Sequence, residues 1–310
     1  MPLSRILPSS PNSSTLPLRP DAEGVGENNN KMANTLKAPQ VVKIFSENAQ
    51  FQIFDALKRN REKRSKLQSF IVEGVRNINN AVKYGWNIQS FIYSSEHGLS
   101  KWATTVLRES QAQTHFDPPM KLLTKLSSKE ETSELLAVVE MKKDDIHTIP
   151  LSGRLLVVVF DRPSSPGNLG TLIRSCDAMG VHGLIVTGHA VDMYSPETIN
   201  ATTGSFFALP IIRLASHENL IPWIKEVKKR FSNLQIVGTD EQGEHSIDSH
   251  DFTKPTILLV GNETWGLSAA YKALSDAMVN IPMQGSASSL NVACTASIVL
   301  YEVNRQRMPG

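Results

Sequence analysis

The chain has 310 residues, 40% of them hydrophobic and 20% charged, which suits a soluble globular protein with room for two domains. No apolar run approaches the roughly 20 residues of a membrane span. The two cysteines, Cys176 and Cys294, have no metal or redox spacing and read as small core residues of a cytoplasmic, reducing compartment. Net charge is only +2, but residues 1–150 hold 20 Lys and Arg against 16 Asp and Glu, and the remainder holds 12 against 14. The basic excess belongs to the first half.

Residues 1–40 are rich in Ser, Pro and Asn and lack any hydrophobic period, the composition of a disordered tail. Arg5 and Arg19 with no early acid give it something of an organelle transit peptide, a pattern that Asp21, Glu23 and Glu27 then break. A dispensable tail fits better. The segment Leu57 to Lys66 carries six cations, Lys58, Arg59, Arg61, Lys63, Arg64 and Lys66, against the single acid Glu62. It fits a solvated helix face as well as a phosphate-contacting patch, since clustered cations gain affinity by releasing counterions from nucleic acid.

Residues 41–147 then read as a small α/β domain. Phe70-Ile71-Val72-Glu73-Gly74 is a short strand, and a helix follows through Ile78, Ala81 and Val82. Ile88–Tyr93 is a strand, Trp102–Leu107 a helix, and Leu135–Val139 another strand. Asp144–Gly153 is the linker.

Residues 153–310 alternate strands and helices, the pattern of a mostly parallel sheet between helical layers. Strands are predicted over Leu155–Phe160, Gly183–Thr187, Leu209–Leu214, Leu234–Thr239, Thr256–Val260 and Met278–Pro282. After the first strand a loop leads to Asn168 as a helix cap, with helix to about Met179. Ser195-Pro196-Glu197 opens a short helix, and His217–Phe231 forms a longer one. The last helix is predicted to start on Ser288 or Ser289 as cap and to be buried nearly all round from Leu290 to Val303.

Ligands of open α/β sheets collect beyond the carboxyl ends of strands, and three strand-end loops are unusually polar. The first reads Asn168-Leu169-Gly170-Thr171-Leu172-Ile173-Arg174, the second Gly261-Asn262-Glu263-Thr264-Trp265-Gly266, and the third Ile281-Pro282-Met283 followed by Ser288-Ser289-Leu290-Asn291-Val292-Ala293. Each alone fits a capped helix or a turn as well as a ligand loop. None matches a P-loop or a dinucleotide fingerprint, and no metal cluster or Ser/His/Asp arrangement is evident. His182 and His189 read as structural.

In this order and at these strand ends, the three loops resemble the motifs of the SpoU-type (TrmH-like) RNA ribose 2′-O-methyltransferases, over residues 155–307. Residues 41–147 look like the L30e-like substrate-binding domain that precedes this catalytic domain in the thiostrepton-resistance methyltransferases, chiefly at Phe70–Gly74. The resemblance implies a trefoil-knotted, parallel-sheet α/β domain, which connection rules alone would not suggest. It further implies S-adenosylmethionine held bent by backbone contacts at Gly261, Ile281 and Leu290, no metal, and a homodimer whose site borrows from both subunits. Residue by residue it makes Arg174 the catalytic arginine, with Asn168, Glu263, Ser289 and Asn291 shaping the site. A guanidinium is a poor proton acceptor, so Arg174 is read as a cation that stabilises the developing alkoxide; the proton acceptor stays open.

The expected activity is methylation of a ribose 2′-hydroxyl in structured RNA, with ribosomal RNA favoured over tRNA. Lys58, Arg59, Arg61, Lys63 and Arg64 are the expected phosphate contacts. A catalytically silent RNA-binding scaffold of the same fold is the alternative, and intact Arg174, Glu263, Ser289 and Asn291 count against it.

Overall fold

The computed structural model describes residues 39–308, so the expectations for the tail, apart from its last two residues, lie outside the described residues. The first part builds a five-stranded sheet from β1 (Gln40–Lys43), β2 (Ser69–Glu73), β3 (Ile88–Ile92), β4 (Thr114–Asp117) and β5 (Leu136–Glu140), in the order β1-β4-β3-β5-β2. β1, β4 and β3 run parallel, and β5 pairs antiparallel with β3 and β2. Helices α1 (Ala49–Arg59), α2 (Arg61–Leu67), α3 (Val75–Lys83), α4 (Lys101–Glu109) and α5 (Met120–Leu126) connect them. Side chains alternate across a strand, and so β2 sends Ile71 into a cluster with Phe51, Phe54 and Leu123, and Phe70 and Val72 to the opposite face.

The second part is a seven-stranded, wholly parallel sheet in the order β10-β12-β9-β11-β6-β7-β8. Its strands are β6 (Leu156–Asp161), β7 (Gly183–Thr187), β8 (Ile211–Leu214), β9 (Gln235–Thr239), β10 (His245–Ser246), β11 (Thr256–Val260) and β12 (Ala277–Asn280). Its helices are α6 (Pro166–Ala178), α7 (Pro196–Thr202), α8 (Ile221–Arg230), α9 (Ala269–Leu274) and α10 (Val292–Arg307). β6, β7 and β11 are buried throughout, as parallel strands covered on both faces must be. One face packs Val158, Phe160, Leu258 and Val260 with Leu172, Ile173, Val299 and Leu300 of α6 and α10; the other packs Val157, Val159 and Leu259 with Trp223, Val227 and Tyr271 of α8 and α9.

The two sheets share one apolar core. Phe70 and Trp86 of the small lobe interlock with Tyr194, Phe206 and Phe207 of the large one, with ring centroids 4.8–6.4 Å apart. Trp86 donates its indole N–H to the Phe207 carbonyl at 3.1 Å, and Asn80 Nδ2 donates to the Gly204 carbonyl at 3.1 Å.

This seam explains the main departure from the sequence reading. Arg64 is only 4% exposed; it donates Nε and Nη2 to Asp192 Oδ2 at 2.9 and 2.6 Å and Nη1 to the carbonyls of Leu57 and Lys58. Arg61 reaches the Ala190 carbonyl at 2.8 Å, and Lys58 reaches those of Lys125 and Ser127. Arg64 is therefore a strut between lobes and not a phosphate contact, and Arg61 and Lys58 are largely spent on the fold. Exposed Arg59 pairs with Asp55 at 2.9 Å, and Lys63 is exposed with no ion pair.

Three smaller corrections concern the large lobe. Ser165, not Asn168, caps α6, its hydroxyl accepting the Asn168 backbone N–H. Asn291, not Ser288 or Ser289, caps α10, accepting from the N–H groups of Ala293 and Cys294. α10 is not buried all round: Ile298 and Tyr301 are 39% and 59% exposed, and Cys294 is exposed where a core residue was expected.

Candidate active site

β6 and β11 lie side by side in mid-sheet, and the chain leaves them in opposite directions, from β6 through α6 to β7 and from β11 through α9 to β12. Such divergence opens a crevice at the strands' carboxyl ends. A pocket of about 510 Å³ lies on the β11 side, at the carboxyl ends of β9, β11 and β12, walled by Thr239–Gln242 after β9, Gly261–Gly266 after β11, and Ile281, Met283 and Ser288–Leu290 after β12. Val292, Thr295 and Val299 of α10 complete it. The volume falls in the roughly 300–1,000 Å³ range of small-molecule sites.

Gly261, Ile281 and Leu290, the residues expected to hold the cofactor, all line this pocket. Glycine at 261 is required by the loop itself. A Cβ there would sit 2.3 Å from Gly266 C and Leu267 N, so a side chain would strike the returning loop itself before it filled any ligand space. That return is tight. Asn262 and Gly266 exchange backbone hydrogen bonds at 2.9 and 3.0 Å, Asn262 Oδ1 accepts from the N–H groups of Thr264 and Trp265, and Gly266 adopts φ +63°.

A chain of hydrogen bonds joins the three polar loops. Asn291 Nδ2 donates to Asn168 Oδ1 at 3.0 Å, and Asn168 Nδ2 donates to Glu263 Oε1 at 3.3 Å. The Asn291 amide orientation is fixed, because its oxygen is engaged by the first turn of α10. Glu263 also accepts from the Ser164 N–H and hydroxyl, both at 2.9 Å, and from the Ser165 N–H at 3.0 Å. Burial would push this carboxyl up, but the Ser164 and Ser165 donors outweigh it and hold Glu263 below the usual carboxylate range. A carboxylate so fully engaged is a weak base; Glu263 is a clasp that ties the β6 loop to the β11 loop.

The clasp has supports that the sequence reading did not name. Arg162 adopts the left-handed region, φ +51°, which costs a non-glycine residue on the order of 1 kcal/mol. Its carbonyl accepts Asn262 Nδ2 at 2.6 Å, and its guanidinium chelates buried Asp161, which also accepts the Ser268 N–H. Such partners, about a hundred positions apart in the chain, leave no local sequence signal.

Ser289 stands exposed in the pocket wall. Arg174 stands apart from the other expected catalytic residues. It is exposed on α6, makes no ion pair and is not part of the pocket wall. Its neighbour Ser175 meets Ser297 of α10, hydroxyl to hydroxyl at 2.7 Å. Within one chain the structure brings Asn168, Glu263 and Asn291 into contact, sets Ser289 in the pocket beside them, and leaves Arg174 outside.

Residues 155–301 match the SpoU rRNA methylase family, and residues 48–137 match the SpoU L30e-like domain. A 23S rRNA (uridine(2479)-2′-O)-methyltransferase of Streptomyces viridochromogenes is 46% identical over 275 residues, covering 88% of this chain and 96% of that protein. This chain belongs to the SpoU rRNA methylase family. A second SpoU relative, the 23S rRNA (guanosine(2553)-2′-O)-methyltransferase of Bacillus subtilis, is 26% identical over 78% of this chain and 91% of its own length. The crystal structure of the SpoU methyltransferase AviRb from S. viridochromogenes, in complex with the cofactor AdoMet (S-adenosylmethionine), superposes with a TM-score of 0.80 at 47% identity, over 84% of this chain and 98% of that one. The large lobe is thus the SpoU methyltransferase domain, built on a parallel sheet, with the L30e-like domain before it.

Proposed function

We propose that this protein methylates a ribose 2′-hydroxyl in structured large-subunit ribosomal RNA, and that it does so as a homodimer. The activity class follows from family membership: the chain is an S-adenosylmethionine-dependent RNA 2′-O-methyltransferase. The observation that carries the reading is the Asn291–Asn168–Glu263 chain, which ties all three motif loops together beside one pocket of suitable size, walled by two of them. Among the described residues no group of three or more His, Cys, Asp or Glu could hold a metal ion.

When bound, S-adenosylmethionine supplies an electrophilic methyl group on a sulfonium. The chain's own residues supply position. The tight Asn262–Gly266 turn and the apolar side chains of Ile281, Leu290 and Val292 form a pocket fitted to hold the cofactor against the sheet end, and positioning of reactants alone can lower such a barrier by several kcal/mol. Arg174, a guanidinium cation, would grip a phosphate next to the target ribose and stabilise negative charge on the 2′-oxygen as its proton passes to water. The new oxygen–carbon bond would replace the methyl–sulfur bond, with the neutral thioether as leaving group. Glu263 holds its clasp throughout and takes no proton.

Two features support the homodimer. α10 shows solvent an apolar side, Ile298 and Tyr301, and Arg174 is exposed and outside its own chain's pocket. A second copy covering α10 would bring one protomer's Arg174 to its partner's pocket. The small lobe is assigned to RNA binding. Its family match and the basic first half of the chain support this, and exposed Lys63, Lys66, Arg76 and Lys129, which make no ion pairs, are among its available cations.

The test is transfer of labelled methyl from S-adenosylmethionine to an unmodified 23S rRNA transcript, followed by alkaline hydrolysis, with molar mass measured by light scattering. The expected product is one alkali-stable dinucleotide, made by a dimer. Label on a base, or none while the cofactor binds, would overturn the assignment, and a monomer with full activity would overturn the shared site.

A further inference from the structure

Trp265 has no role in holding the fold. Its side chain is 79% exposed, although it stands in the wall of the cofactor pocket on the loop after β11. The chain's other three tryptophans, Trp86, Trp102 and Trp223, are buried or half-buried. Indoles are large apolar groups that folding ordinarily covers.

The backbone beneath Trp265 is also held at several points. Its N–H is bonded to Asn262 Oδ1 at 3.1 Å, the loop closes through paired Asn262–Gly266 bonds, and the preceding Glu263 is fixed to Ser164, Ser165 and Asn168. A rigid loop that aims an uncovered aromatic face at the pocket mouth is a preformed stacking platform. The ligand that arrives there is RNA, whose bases all offer a π-face, and aromatic stacking is how proteins hold unstacked bases.

We infer that Trp265 stacks on a nucleobase at or next to the target nucleotide and thereby sets the ribose against the cofactor pocket. The inference rests on the proposed function and adds a substrate-positioning contact to it. Stacking tolerates any base, which agrees with one SpoU relative acting on a uridine and another on a guanosine.

The experiment compares the full chain with Trp265→Ala and Trp265→Phe, using the unmodified 23S rRNA transcript as probe. Four quantities are read: KM for RNA, kcat, cofactor affinity by calorimetry, and molar mass. An exposed side chain can be removed without loss of folding. Trp265→Ala should raise KM for RNA or lower kcat/KM by about tenfold or more, the scale of one lost base stack, with cofactor affinity and mass unchanged. Trp265→Phe should recover most of the loss. RNA should quench indole fluorescence of the parent well beyond that of Trp265→Phe. An unchanged kcat/KM in Trp265→Ala would overturn the inference. So would a comparable loss of cofactor affinity, which would make Trp265 a cofactor cap, or conversion to a monomer, which would make it a subunit contact. Failure of the parent itself to methylate the transcript would instead sink the proposed function.

Discussion

Two regions of this chain carry the polar residues that the sequence singles out, and they turn out to be opposite kinds of structure. The basic run Lys58–Lys66 looks like a nucleic-acid patch, yet Arg64 is buried against Asp192, and Arg61 and Lys58 end on backbone carbonyls. The three motif loops of the large lobe are clasped through Glu263, Asn168 and Asn291, and they leave Arg174, Ser289 and Trp265 exposed. The contrast shows that a cluster of charge is a site only to the extent that its groups remain unpartnered. A working site pairs saturated residues, which fix the geometry, with free ones that meet the substrate.

The largest effect should come from breaking the strut. Arg64→Ala leaves the Asp192 carboxylate nearly buried and unpaired, a loss of about 3–5 kcal/mol, and should move the denaturant midpoint sharply downward. A midpoint within experimental error of the parent would mean that the seam does not depend on this pair.

A pH titration probes both lobes at once. Burial lowers the pKa of His115 in the small lobe and of His182 and His250 in the large one. A lowered folded pKa means that the unfolded chain binds protons first. The stability these histidines contribute is therefore complete above the ordinary imidazole value, near 6.5, and is lost as the pH falls below it. Unfolding free energy measured at pH 7.5 and 5.5 should be smaller at the lower pH. Because both ring nitrogens of His115 are buried without a partner, His115→Phe should flatten part of that slope. The same slope in the variant would assign the effect to His182 and His250.

The smallest effect separates the exposed members of the basic run from the buried one. Arg59→Ala with Lys63→Ala should change stability by less than about 0.5 kcal/mol. If these two touch phosphate, each should lower the log–log salt slope of RNA binding by something near 0.9, taking the duplex-DNA coefficient as a guide. An unchanged slope would leave the small lobe's contacts to cations such as Arg76 and Lys129.

How much of this was legible follows from how local each signal is. Strands covered on both faces, Leu156–Asp161 and Thr256–Val260, announce themselves by unbroken apolar runs. β1 and β4 escape notice, because Gln40–Lys43 and Thr114–Asp117 are short, mix polar with apolar residues and lie at or next to the sheet edge. The sequence puts the start of α10 too early because Ser288, Ser289 and Asn291 can all cap; Asn291 does so, its oxygen accepting from Ala293 and Cys294 while its amide nitrogen is tied to Asn168. The site's principal residues stood in recognisable motifs. Their supports did not: Arg162, Ser164 and Ser165 act through partners about a hundred positions away, and the burial of Arg64 depends on Asp192, 128 positions distant.

The proposed function requires that the free cation at the motif loops, Arg174, and not the strut at the seam, carries the chemistry. Its most direct test is the single-turnover rate of methyl transfer from S-adenosylmethionine to 23S rRNA by Arg174→Ala, with cofactor affinity and the denaturant midpoint measured on the same protein. A fall of about 10²–10³-fold in rate is predicted, the scale for losing one transition-state donor, with cofactor affinity within a few-fold and the midpoint unchanged. Arg174→Lys should recover little of it, since an ammonium lacks the planar fork. A near-parental rate in Arg174→Ala would contradict the claim.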